Sequence, residues 1–237
     1  MIDLHMHILP GVDDGAESPE EGLEMARIAA ASGVRAVAAT SHGDFSYLEP
    51  EKYLKLYNRK IKEFRRSLAE HQIPLTVYCG MELMVNDSLL EQAGKRPLPG
   101  INGGRYLLTE FLFDVPARLA LSSLKKLQEA GYKIILAHPE RYDFAKSRPE
   151  LLEEFFREGI ILQVNKGSIP GNFGKRAART ADWLLGWGMA GLVASDAHDT
   201  VLRTPDLADT ARVLDLYYGA DASRILLERN PVRILRG

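Results

Sequence analysis

A chain of 237 residues, 46% hydrophobic and 26% charged, has the proportions of a soluble globular protein and the length for one large core. Its net charge of −2 removes any general pull towards nucleic acid or an anionic membrane surface, and no apolar run approaches the roughly 18 residues that a membrane helix requires. A single cysteine, Cys79, excludes an internal disulfide framework and suits a reducing cytoplasm.

The first element is a strand over residues 2–8. It enters at once, with no basic region or cleavage site that would mark an export signal. Period-two alternation sends Ile2, Leu4 and Met6 to one side and Asp3, His5 and His7 to the other, so two imidazoles share a face. After the loop Pro10-Gly11-Val12-Asp13-Asp14-Gly15, Ser18, Pro19 and Glu21 form a capping box that opens a helix ending at Gly33. Val34 to Thr40 reads as a second strand, ending in Ser41-His42. A helix over residues 50–70 carries Arg59, Lys60, Lys62, Arg65 and Arg66, best read as a solvated face. His71, near its end, reads as ordinary.

Leu75 to Cys79 is the third strand, followed by Gly80-Met81-Glu82, and Tyr106 to Thr109 the fourth, ending in Glu110. A helix from Ala117 to Ala130 leads to the strand Lys133 to Ala137 and to His138-Pro139-Glu140-Arg141-Tyr142-Asp143. Ser147, Pro149 and Glu150 predict another capped helix, ending at Gly159. Ile160 to Val164 is the sixth strand, with Asn165 at its end. The helix around 174–187 sets Trp183 and Trp187 on one face as packing residues. Leu192 to Ala194, the seventh strand, ends in Ser195-Asp196-Ala197-His198, and helices at about 205–217 and 220–228 close the chain.

Alternating strands and helices with short connections predict a parallel α/β sheet, because parallel strands need helical crossovers. No glycine-rich nucleotide fingerprint follows any strand, and no linker or repeat divides the chain. One barrel-like domain over residues 1–237 is the economical reading.

In such a barrel the C-terminal strand ends share one rim, where barrel enzymes do their chemistry. The predicted ends, with their following loops, bring there His5, His7, Asp14, His42, Glu82, Glu110, His138, Asp196 and His198. Any one alone reads as a cap or an ion-pair partner; six of seven strand ends bearing such a group do not. Imidazole with carboxylate suits zinc, iron or manganese, and nine donors exceed one tetrahedral ion, so two or three ions are expected. Asp3, deeper on its strand, and Asn165 read as supports for neighbours. Arg141 and Arg203 follow His138 and His198 and suit phosphate oxygens; salt bridges to Glu140 or Asp143, and to Asp199 or Asp206, are the competing assignment. Position 85 is valine, so Cys79 lacks the arginine that a cysteine-dependent phosphatase places six residues on. Cys79 reads as a buried, inert thiol. Water activated by metal and attacking phosphorus is the chemistry most consistent with the set.

The motifs Met1-Ile2-Asp3-Leu4-His5-Met6-His7, Val12-Asp13-Asp14-Gly15, Thr40-Ser41-His42, Gly80-Met81-Glu82, Ala137-His138-Pro139-Glu140-Arg141-Tyr142-Asp143, Gln163-Val164-Asn165 and Ala194-Ser195-Asp196-Ala197-His198, with the Glu110 strand, run in order to about residue 205. The chain thereby resembles the bacterial PHP-superfamily tyrosine-protein phosphatases of the CpsB/CapC/YwqE type. The resemblance implies a distorted seven-stranded (β/α) barrel of the metallo-dependent hydrolase type. It also implies two or three manganese ions, with iron, zinc, cobalt or magnesium as the other candidates. The implied substrate is phosphotyrosine on a bacterial tyrosine autokinase of capsule or exopolysaccharide synthesis, and the implied location of this chain is the cytoplasm. By motif, His5, His7, Glu82 and Asp196 would hold one ion, Glu82, Glu110 and His138 a second, and Asp14, His42 and His198 a third. Arg141 and Arg203 would grip phosphate, with His42 counted among the catalytic groups. Gly43-Asp44-Phe45 and Val201-Leu202 depart from the pattern and bear on substrate preference. The runner-up reading is a small-molecule phosphatase of the histidinol-phosphatase type.

Overall fold

The computed structural model describes residues 1–237. Nine strand segments appear where seven strands are expected: β1 (Ile2–Met6), β2 (Ala36–Ala39), β3 (His42–Gly43), β4 (Thr76–Cys79), β5 (Glu82–Met84), β6 (Tyr106–Glu110), β7 (Lys133–Ala137), β8 (Ile161–Asn165) and β9 (Ala190–Ala194). All pairings are parallel, in two sheets of order β1-β2-β4 and β3-β5-β6-β7-β8-β9.

The extra segments arise because two strands each break and change sheet. The second leaves β2 at Thr40-Ser41 and resumes as β3; the third leaves β4 at Gly80-Met81 and resumes as β5. Gly80 lets the chain pack closely at the second break: a Cβ there would lie 2.7 Å from Ile101 Cδ1 and 3.1 Å from Thr40 Cγ2, and the buried Ile101 side chain would have to shift. On the far side, β1 meets the end of β9: Met6 bridges Ala197, His7 N–H donates to Ala197 O (2.9 Å) and Asp196 N–H to His5 O (2.8 Å). With the two broken strands belonging to both sheets, seven strands follow one another round a distorted (β/α) barrel.

Strict alternation in the first strand does not hold. The register shifts between Asp3 and Met6, as an extra residue in a strand produces. Leu4 packs in a cluster of nine buried residues drawn from β1, β2, β6, β7 and β9 and closed by Ile101 and Ile234. Met6 packs instead in the large cluster beneath the helices. The shift leaves His5 and His7 converging on one point.

The first helix (Pro19–Ala31) starts as read: Ser18 Oγ accepts from Glu21 N–H at 3.1 Å, although the Glu21 carboxylate returns to Glu17 N–H (2.8 Å). The predicted cap at Ser147 fails. Ser147 ends a short helix (Asp143–Ser147), and Glu150 binds Arg148 Nε (3.0 Å) before the next helix (Leu152–Arg157) begins. Arg148 precedes a proline and is held out of the helical region, which breaks the run. A helix at Asp87–Ala93, capped by Asn86 and absent from the sequence reading, follows β5. The closing segments also shift, to Ala208–Tyr218, Ala222–Arg224, Ile225–Arg229 and Asn230–Arg236.

Candidate metal centre

The nine expected donors lie at one end of the barrel, and their atoms touch. Glu82, at the start of β5, is the hub. Its Oε2 lies 3.1 Å from His5 Nε2, 3.2 Å from His7 Nε2 and 3.2 Å from His42 Nδ1, while its Oε1 lies 3.0 Å from His138 Nε2. Asp196 Oδ1 faces His5 Nε2 at 3.3 Å and His7 Nε2 at 3.6 Å. Asp14 Oδ1 stands 3.3 Å from His42 Nε2 and 3.5 Å from His198 Nε2. Glu110 Oε1 meets His42 Nδ1 at 2.7 Å.

Donor atoms within 4.8 Å of one another form three groups: His5, His7, Glu82 and Asp196; His7, Asp14, His42 and His198; and His42, Glu82 and Glu110. The first is the quartet expected from the motifs, and the second adds His7 to the expected trio. In the third, His42 stands where His138 is expected; His138 Nε2 is 4.0 Å from Glu110 Oε2.

Neighbouring groups decide which nitrogen three of the imidazoles present. His5 Nδ1–H donates to Gln163 Oε1 (2.8 Å), an oxygen that also takes the His138 N–H (3.4 Å). His7 Nδ1–H donates to Asp13 Oδ2 (2.7 Å), and His198 Nδ1–H to the carbonyl of Asp196 (3.0 Å). Each Nε2 is thereby left with its lone pair aimed at the centre. His5 and His7 Nε2 come within 3.2 Å of each other, and Glu82 Oε2 is buried with no hydrogen bond although three imidazoles surround it. Lone pairs converging in this way, from nitrogen and carboxylate oxygen, fit a cluster of divalent cations.

The electrostatics agree. Burial by itself lowers the pKa of His7, but its hydrogen bond to Asp13 and the Glu82 carboxylate beside it outweigh that and lift it to about 10. Burial likewise opposes charge on His42, and Asp14 with Glu110 lift it to about 12. Burial and then the Glu82 charge push Glu110 up, whereas His198 and His42 hold Asp14 well below the usual carboxylate range. The crowded carboxylates demand positive charge, which protons or metal ions can supply.

Neither arginine takes its competing salt bridge. Asp196 Oδ2 accepts from Arg141 Nη1 (3.3 Å) and Asn165 Nδ2 (2.6 Å) and forms an ion pair with Arg203, whose Nη2 lies 2.6 Å away. The Arg141 guanidinium is held between rings, 4.6 Å from the Phe113 centroid and 4.2 Å from that of Phe173. Glu140 instead accepts from Asn165 N–H and the Ser168 hydroxyl, and Asp199 from the N–H groups of residues 201–203. Asp3 Oδ1 braces the backbone N–H of His5 and Ser195. Cys79 is only partly buried, and His71 is exposed and bonded to Ser67 O, away from the cluster.

Asp13 and Gln163 are the groups that sequence reasoning left without a role. Gln163 had a signal: Gln163 and Asn165 alternate as polar, buried residues in an otherwise apolar strand. Asp13 had only its place beside Asp14.

The family described as capsular polysaccharide synthesis, CpsB/CapC, matches residues 1–236. Tyrosine-protein phosphatase YwqE of Bacillus subtilis is 33% identical over 228 residues, covering 96% of this chain and 89% of that protein. Tyrosine-protein phosphatase CpsB of Streptococcus pneumoniae is 29% identical over 241 residues, covering 99% and 98%. A solved structure from a study of YwqE and CpsB, described there as unique metal-dependent tyrosine phosphatases, superposes with a TM-score of 0.89 at 32% identity, covering 100% of this chain and 94% of that one. The phosphotriesterase homology protein of Escherichia coli shares the fold alone, with a TM-score of 0.62 at 11% identity over 98% of this chain and 97% of that one. With the motifs, the barrel and the match along nearly its whole length in agreement, the chain belongs to the CpsB/CapC family.

Proposed function

We propose that residues 1–237 form one catalytic domain, a metal-dependent protein-tyrosine phosphatase. The observation that carries this reading is that Arg141 and Arg203 converge on Asp196 Oδ2 while Asp196 Oδ1 faces His5 and His7. Two guanidinium forks thus stand at the edge of a cluster suited to divalent ions, the parts that phosphoryl transfer uses. His5, His7, Glu82 and Asp196 would hold one ion, Asp14, His42 and His198 a second, and Glu82 and Glu110 with His138 a third. Manganese is the ion we assign. When bound, the ions supply an activated water nucleophile and neutralise charge at phosphorus.

The chain's own residues do the positioning. Arg141, clamped between Phe113 and Phe173, and Arg203 bind the non-bridging phosphate oxygens. Gln163 and Asp13 keep the imidazole tautomers that bind cations. His42, the least buried imidazole of the cluster, borders a cleft of about 430 Å³ whose other walls include Tyr47, Leu48, Tyr53 and Met84. Those apolar walls accept an aryl ring. Tyr47, Leu112, Val201 and Leu202, which are 74%, 69%, 79% and 82% exposed on rim loops, suit a polypeptide better than a small polar phosphoester. The tyrosine phosphatase activity of the relatives supports the same choice. The substrate we assign is a phosphotyrosine-bearing autokinase of capsule or exopolysaccharide synthesis, met in the cytoplasm.

Purified protein with Mn²⁺ releases phosphate from a phosphotyrosyl peptide faster than from histidinol phosphate. His138→Ala abolishes turnover, and Arg203→Ala lowers it about 10²–10³-fold with metal content retained. Preference for histidinol phosphate, or full activity in His138→Ala, refutes the reading.

A further inference from the structure

A groove of about 750 Å³ leads away from the cleft beside His42 and shares Asp44 and Met84 with it. It lies between the loop after β3, the start of the Asp87–Ala93 helix and the loop after β6, so its walls are the rim of the barrel. Met84, Leu112 and Leu119 contribute apolar surface, and the last two are 69% and 56% exposed. Asp44, Asp87 and Asp114 contribute carboxylates.

Three features define what fits there. No lysine or arginine lines the groove, and none of its three aspartates forms an ion pair. Asp44 is fixed in place, its Oδ1 accepting from Ser46 N–H (2.9 Å) and Asn86 Nδ2 (2.8 Å), so it faces the groove without collapsing onto a cation. The groove opens from the cleft beside the metal cluster, so a chain whose phosphotyrosine reaches the ions must lay its next residues along it or turn away. A volume of this size holds a few side chains. An anionic metabolite or lipid surface would be repelled by the three carboxylates; a segment with cationic and apolar residues is complementary.

We infer that this groove docks the polypeptide adjoining the phosphotyrosine and selects segments carrying lysine or arginine within about three residues of it. The inference rests on the phosphatase reading for the position of the phosphotyrosine, but it is a statement about binding. Selection comes from apolar contact along Leu112, Leu119 and Met84, with the carboxylates choosing the sign of charge. Partly exposed pairs are each worth a few-fold in affinity, so reversing the peptide charge changes it by about tenfold, less at high salt.

The test measures binding of peptides bearing a non-hydrolysable phosphotyrosine mimic to the Mn²⁺-loaded protein. Lysine is compared with glutamate at each flanking position, and the affinity ratio is taken within each protein. The expected result is about tenfold tighter binding of the lysine peptide at one or more positions, shrinking in 1 M salt. Asp114→Lys inverts the ratio, and the milder Asp114→Asn reduces it to about threefold. A ratio near one in the unmodified protein, or an unchanged ratio in Asp114→Lys, overturns the inference. Hydrolysis of phosphotyrosyl peptides with a ratio near one sinks the groove alone. A charge-dependent ratio without hydrolysis of any phosphoester sinks the phosphatase reading and leaves the groove standing.

Discussion

Replacing Asp13 by asparagine changes one charge and almost no volume, and it tests whether the residues behind the donors hold the centre together. Asp13 accepts three N–H groups: Oδ2 takes His7 Nδ1–H (2.7 Å) and His42 N–H (3.0 Å), and Oδ1 takes Gly15 N–H (3.1 Å). An amide has one oxygen, so asparagine serves the pair on Oδ2 or the single donor on Oδ1. The better choice keeps His7 and His42 and turns an NH₂ towards Gly15 N–H. The His7 bond then loses its charge assistance, a difference of about 1 kcal/mol, and one largely buried N–H is left unpaired at about 1–3 kcal/mol. The sum is about 2–4 kcal/mol of stability. Because His7 Nε2 faces Glu82 and Asp196, a ring free to turn also weakens the centre; a change of this kind lowers metal affinity about 10–100-fold. Calorimetric titration with Mn²⁺ and thermal melting of the metal-free protein read the two effects separately. Unchanged affinity in a folded Asp13→Asn protein would refute the assigned role.

Metal removal reveals the proton chemistry of the same imidazole. The metal-free His7 pKa, lifted to about 10 against an unfolded value near 6.5, contributes stability that is complete below pH 6.5 and is lost as pH rises through about 10. Chelator-treated protein therefore melts lower at pH 10 than at pH 6.5, whereas metal-loaded protein loses its added stability on acidification, as protons displace the ions. Parallel melting profiles for the two forms would contradict this. At Gly15 a Cβ would stand 2.1 Å from His7 O, so Gly15→Ala pushes the Asp13–Gly15 loop off the end of β1. It is expected to cost about 1–3 kcal/mol and to weaken metal binding, read by melting and by metal titration.

The strand–helix alternation and the gathering of nine candidate donors at one end were legible because each rests on local pattern: apolar runs with period-two spacing, and a polar group where each run stops. Parallel strands put those stops on one rim whatever the details of the barrel, so the list of donors needed no coordinates. The grouping of the donors did need them. His42 sits in two groups, between Asp14 and the Glu82–Glu110 pair, because the second strand breaks at Thr40-Ser41 and its continuation pairs with β5. No local propensity announces a strand that changes sheets. The capping box at Ser18 was legible for the same local reason, and the one at Ser147 misled because Pro149 acts on the residue before it.

Tertiary structure alone decided the supporting roles. Arg141 and Arg203 each had nearer acidic neighbours in sequence and both bind Asp196, 55 positions from Arg141 and seven from Arg203, since the fold commits Glu140 to Asn165 and Ser168, and Asp199 to its own loop. Asp13 and Gln163 orient histidines six and 158 positions away in sequence. The amino-acid sequence by itself thus determined which side chains could bind cations and at which end of the barrel they stand. The tertiary fold decided which atoms meet, because hydrogen-bond partners there are chosen by strand register and by which polar groups burial leaves unpaired.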